Sequence, residues 1–174
     1  MRSLAFTIAI AGASALTAAS PALASDKLLI APVQGNEIVE ADLVVELEEA
    51  VRAGAMKRAR DLDIKVMSHA ALARSLDDLR KGRRDTAIGL PCKDAQCDAG
   101  LGRALGSQLV ISTRLTKIDG KYLALMRVIA ADTDKVIATA SVQTDTFATL
   151  LGEVTKQAER MMGDGTAWRA FKGQ

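Results

Sequence analysis

Residues 108–143 read QLVISTRLTKIDGKYLALMRVIAADTDKVIATASVQ. Two apolar-rich runs, Gln108–Ile118 and Lys121–Ala130, are separated by Asp119-Gly120 alone. A two-residue loop of this kind suits a type I′ turn, where both central residues must accept positive φ. Ala131-Asp132-Thr133-Asp134 makes a second turn, and Lys135–Gln143 a third strand. Asp134 falls where a left-handed backbone is expected, a conformation Asp tolerates at some cost. Three strands in a meander therefore form the centre of the chain.

Upstream, Lys27-Leu28-Leu29-Ile30-Ala31-Pro32-Val33 reads as a buried strand with Pro32 near its end, and Gln34-Gly35-Asn36 as a loop. A helix follows from about Glu40 to Ala59, with Val44, Leu47, Val51 and Ala55 along one face. Glu46, Glu48 and Glu49 precede Arg52, Lys57, Arg58 and Arg60, the order that complements a helix dipole. Asp63–Met67 is a second strand, so strand, helix, strand implies a parallel pairing. Ser68 caps a helix with Leu72, Leu76 and Leu79 inward and Gly82 as its stop. Asp94 caps a short helix carrying Leu101, Ala104 and Leu105 and ending at Gly106. Thr146 caps the last helix, with Leu150, Val154 and Ala158 in line and Gly163 at its end. The order β-α-β-α-α-β-β-β-α gives an α/β fold with a single mixed sheet of about five strands packed with helices.

The first 24 residues have a different character. Arg2 is a positive start, Leu4–Thr17 carries no charge, and Pro21-Ala22-Leu23-Ala24-Ser25 places small residues where a signal peptidase cuts. Cleavage is expected between Ala24 and Ser25. The stretch is too rich in Ala, Ser, Thr and Gly for a spanning helix, which wants about 20 strongly apolar residues. No Cys follows it to carry a lipid. Removing 24 of 174 residues leaves 150, enough for one domain over 25–163 and a short tail over 164–174. Only Arg2 is charged in the removed part, so the formal charge falls from +2 to +1, which argues against a nucleic-acid partner. With aromatics at 3% the core must be aliphatic. No later apolar run is long enough to span a bilayer. The expected location is periplasmic or secreted.

The run Cys92 to Ala138, with Cys97 opening Cys-Asp-Ala-Gly-Leu-Gly-Arg-Ala-Leu-Gly and a second hairpin through Val128–Ala138, resembles a known family. It is similar to the periplasmic α/β domain shared by the TolB N-terminal domain, the CsgG curli-secretion family and the LpoB activators, in particular to small exported members of the myxobacterial type. Residues 92–140 carry the match. The resemblance implies a periplasmic docking domain, with no binding residue to carry over. The sequence departs from the family in having no lipobox Cys and no propeller domain. Its strands after Gln108 carry Arg114, Lys117 and Arg127, unlike the hairpins of a CsgG pore.

Cys92 and Cys97 are the only cysteines, and an even count in an oxidising compartment suggests a disulfide. So small a loop stabilises by about 2 kcal/mol on the chain-entropy estimate. The alternative is a redox dithiol, although oxidoreductases prefer two intervening residues and here there are four. His69 is the sole His, without the ligand spacing of a metal site or a Gly-x-Ser-x-Gly elbow for a triad; it is expected to face solvent in the first turn of a helix. No cofactor motif occurs: Gly100, Gly102 and Gly106 miss the dinucleotide fingerprint and read as close helix packing plus a C-cap. Arg80, Lys81, Arg83 and Arg84 form the most basic patch, either a contact for an anionic partner or a solvated helix end. Trp168 and Phe171 are either interface anchors or pins for the tail. The function that follows is a non-enzymatic interaction domain docking on an envelope or secretion-system protein through a sheet edge or helix face. The alternatives are a redox factor using the two cysteines, or an oligomeric subunit of a secretion complex.

Overall fold

The computed structural model describes residues 26–82 and 92–163. The expected signal segment with Ala24 and Ser25, Arg83, Arg84, and the tail with Trp168 and Phe171 lie outside the described residues. The elements are β1 (Lys27–Ile30), β2 (Gln34–Gly35), α1 (Ala41–Asp61), β3 (Lys65–Val66), α2 (His69–Gly82), α3 (Ala95–Ala104), β4 (Leu109–Ile118), β5 (Lys121–Ala130), β6 (Lys135–Thr144) and α4 (Phe147–Met161). One mixed sheet runs β3-β1-β4-β5-β6, with β2 beside β4. β1 pairs in parallel with β3 and β4, and β4, β5 and β6 form an antiparallel meander.

The expected order holds, with one addition. Gln34 and Gly35, read as loop, are a two-residue strand parallel to Arg114 and Leu115. Two residues carry no periodicity, so only the tertiary partner reveals the strand. The ladder then extends through Asn36 N–H donating to the Leu115 carbonyl at 3.2 Å. The second strand is shorter than expected. Asp63 turns left-handed at φ 54, and the pairing starts with Lys65 N–H donating to the Asp26 carbonyl.

Both turns behave as their residues predict. Asp119 and Gly120 have φ 51 and 77, and Ile118 faces Lys121. Asp134 takes φ 56, and Arg103 from α3 pairs with its carboxylate and donates to the Ala131 carbonyl. Caps also form as read: Asp94 accepts from Cys97 N–H at 2.8 Å, Thr146 from Thr149 N–H at 3.3 Å, and Ser68 from Ala71 N–H at 3.2 Å.

Period-two alternation sends strand side chains to two separate apolar layers. Leu28, Ile30, Leu109, Ile111, Leu115, Ala124, Met126 and Val128 meet Leu47, Val51 and Ala55 of α1 and Leu150, Val154 and Ala158 of α4. Leu29, Val110 and Ile129 meet Leu72 of α2 and Ala99 and Leu101 of α3 on the other face. Val44 is only partly buried, at the rim of the first layer. Leu76 and Leu79 pack against the second layer without being fully buried. Ala104, expected inward, is exposed. The inward face of α3 is Asp98, Leu101 and Gly102, spaced at i, i+3 and i+4, and Ala104 lies off it.

Two glycines permit close approach. A Cβ on Gly54 would stand 2.1 Å from the Thr155 carbonyl oxygen, where α1 crosses α4. One on Gly102 would stand 2.4 Å from Val110 Cγ2. Gly100 has no such constraint, so close packing there is not found.

Candidate interaction surfaces

Cys92 and Cys97 form a disulfide, with Cα atoms 5.3 Å apart. It ties the segment entering α3 to the first turn of that helix. Cys92 is buried, at 1% exposure. Beneath it α3 meets the sheet through a polar contact: Ser112 Oγ donates to Asp98 Oδ2 at 2.6 Å. Asp98 is 1% exposed, and its other oxygen has no hydrogen-bond partner. Burial raises its pKa above the ordinary carboxylate value; the Ser112 bond and Arg114 oppose that shift. Arg114 in turn donates to the Lys93 carbonyl, which holds the disulfide loop over β4. No local motif announced this pair. The available signal was Asp98 sharing its helix face with Leu101 and Gly102.

His69 has a partner. Its Nδ1 lies 3.1 Å from Glu48 Oε1, although the side chain is 58% exposed. Glu48 also takes Arg52 Nη2 at 2.9 Å, and Arg52 Nη1 donates to the Met67 carbonyl at 2.5 Å. The cluster locks α1 to the junction of β3 and α2. Ser68, the neighbouring hydroxyl, spends its oxygen on the helix cap. Of the basic run, Lys81 pairs with Asp77 one turn back at 2.5 Å, a solvated helix pair. Arg80 lies within α2.

Two surfaces of different character remain. The first lies where α1 begins. Among the described residues five large apolar side chains are exposed, and three of them, Ile38 (67%), Val45 (56%) and Ile118 (55%), sit at one end of the domain. β2 runs parallel to β4, so the chain leaving Gly35 heads toward the tip of the β4–β5 hairpin, where Ile118 stands. Glu37, Glu40, Asp42 and Glu46, all exposed, neighbour Ile38 and Val45 along the chain, whereas Ile118 stands beside Lys117, Asp119 and Lys121. Carboxylates there favour the helix N-terminus. The dipole gives no reason for exposed Ile and Val.

The second is the edge of the sheet. β6 pairs with β5 on one side and with no described strand on the other. A bulge between Val128 and Ile129 leaves Ile137 out of register, after which Ala138–Thr144 continues regularly.

No helix among the described residues is long and apolar enough to cross a membrane. No family model and no curated protein matches the sequence. Solved structures do match. The lipoprotein GNA1162 from Neisseria meningitidis is similar at 12% identity with TM-score 0.52, covering 80% of this chain and 98% of that one. The C-terminal domain of LpoB from Escherichia coli is similar at 15% identity with TM-score 0.50, covering 74% of this chain and 88% of that one. This is the LpoB-type fold. TolB from Acinetobacter baumannii also aligns, at 13% identity and TM-score 0.45, over 86% of this chain and 29% of its own. The LpoB-type fold agrees with the expected strand order. At these identities it assigns no binding residue.

Proposed function

We propose that this chain is an exported, non-enzymatic interaction domain of the cell envelope, docking on an envelope or secretion-system protein through the end of the fold where α1 begins. The observation that carries the reading is the exposure of Ile38 and Val45 where α1 begins; Ile118, at the same end, stands on the α2–α3 side of the sheet. Exposed apolar groups ringed by polar ones mark interaction sites. Glu37, Glu40, Asp42 and Glu46 set the chemistry of the partner: aliphatic contacts rimmed by Lys or Arg, with anionic lipid repelled. Export is supported by the signal pattern of residues 1–24, cut between Ala24 and Ser25. The LpoB-type fold is compatible with this role and does not name the partner.

The redox alternative has less support. Burial of Cys92 restricts the approach of an attacking thiolate to that sulfur.

The test is affinity capture from envelope extract with the wild-type chain beside Ile38→Glu/Val45→Glu. The wild type should retain a discrete partner, and the variant should lose it while melting at the wild-type temperature. Equal recovery by both, or no specific recovery by the wild type, would refute the assignment.

A further inference from the structure

We infer that β6 is a self-pairing edge, and that two copies of this chain join antiparallel along Ala138–Thr144 to make one continuous sheet. Natural proteins protect long edge strands with charges, proline or bulges. Among the described residues the only bulge on this strand precedes Ala138. The regular part, Ala138-Thr139-Ala140-Ser141-Val142-Gln143-Thr144, has no charge and no proline. Apart from Gln143 its side chains are small, and no described strand pairs with its outer row of main-chain groups.

The same composition selects the occupant. An unrelated partner would need a charge, a large apolar group or a pocket on this edge to be distinguished from others, and the seven residues offer none. What they offer is main-chain pairing plus short side chains that complement themselves. A two-fold axis through Ser141 sets Ser141 against Ser141, Thr139 against Gln143, Ala140 against Val142 and Ala138 against Thr144. Thr139, Ser141 and Gln143 are exposed and alternate with Ala138, Ala140 and Val142, which lie toward the α1–α4 layer. Each pair therefore joins like with like: polar on the outer face, small or aliphatic on the inner for all but Thr144. The nearest charges, Lys135 and Asp145, fall outside the ladder, and this axis places Asp145 level with Ile137. No like charges oppose one another, the condition that otherwise penalises an antiparallel pair. The contact is isologous and closes as a dimer. It leaves the end carrying Ile38 and Val45 to the proposed partner, and it stands whether or not that partner exists.

Sedimentation of the purified full chain across a wide concentration range tests the inference, together with Thr139→Lys/Ser141→Lys. Both positions are exposed, so the monomer should fold as before, checked by its circular dichroism. The wild type should pass from monomer to dimer, and the variant should dissociate more readily by at least about tenfold, because the two lysines at 141 then face one another across the axis and each lysine at 139 lies diagonally beside the other copy's lysine at 141. Ile38→Glu should leave the dimer unchanged. Hydrogen exchange on the wild type gives a second readout: the outward amides of β6 should gain protection as concentration rises. A strict monomer at every concentration, a dimer indifferent to the two lysines, or β6 exchange independent of concentration would overturn it.

Discussion

The two faces of the sheet are held by different means. Under α1 and α4 the contact is a broad aliphatic layer in which Leu47, Val51, Leu150 and Val154 are wholly buried. Under α2 and α3 the apolar layer is smaller, and it shares the face with a buried Asp98–Ser112 bond and a disulfide. The first face gains its stability from area removed from water, which is non-directional and adds along a helix. The second relies on a few directional ties, each of which fixes α3 in one place.

The contrast is sharpest in truncations. Leu150→Ala should cost about 2–5 kcal/mol, and Leu72→Ala, at the edge of the smaller layer, should fall at the low end of that range. Urea unfolding of the two variants checks this, and equal costs would break the comparison. Gly54→Ala should come next, at about 3 kcal/mol, because its methyl meets a backbone carbonyl that can yield only if α1 and α4 separate. Gly102→Ala should cost about 2 kcal/mol, since its methyl meets the buried Val110 Cγ2 at 2.4 Å and Ala131 Cβ at 3.0 Å. The paired change Cys92→Ser/Cys97→Ser should cost about 2 kcal/mol, measured against the wild type under oxidising conditions.

The legibility of the sequence divides along the same line. The α1–α4 face could be read because Leu47, Val51 and Ala55, and then Leu150, Val154 and Ala158, repeat at helical spacing opposite alternating strands. The Asp119-Gly120 turn set the register of the meander by backbone chemistry alone. The α3 face was harder. Asp98 and Ser112 are fourteen residues apart and meet only once the helix is laid on the sheet. The Glu48–His69 contact is longer still in sequence, so a local reading left His69 without a partner. β2 escaped for the same reason. The exposed Ile38 and Val45 carried no sequence signal, because exposure is a property of the assembled surface.

The smallest expected effect is a pH dependence. Burial holds the Asp98 carboxyl above its ordinary value of about 3.9, so over the interval between the two values the folded chain keeps a proton that the unfolded chain has lost. Stability from this group therefore falls as pH rises through that interval, and the cost is complete above it. Asp98→Asn removes the dependence. Its stability relative to the wild type should be greater at neutral pH than at the acid end of the interval, a difference that thermal melts at the two pH values would read. An unchanged difference would mean that Asp98 is not strained by burial.

The account rests most heavily on the end of the domain where α1 starts. Photo-crosslinking in intact cells, from a probe residue replacing Val45 and from another replacing exposed Gln96, addresses it directly. The account predicts a discrete adduct with an envelope protein from position 45 and none of that size from position 96. No adduct from position 45, or the same pattern from both, would contradict it.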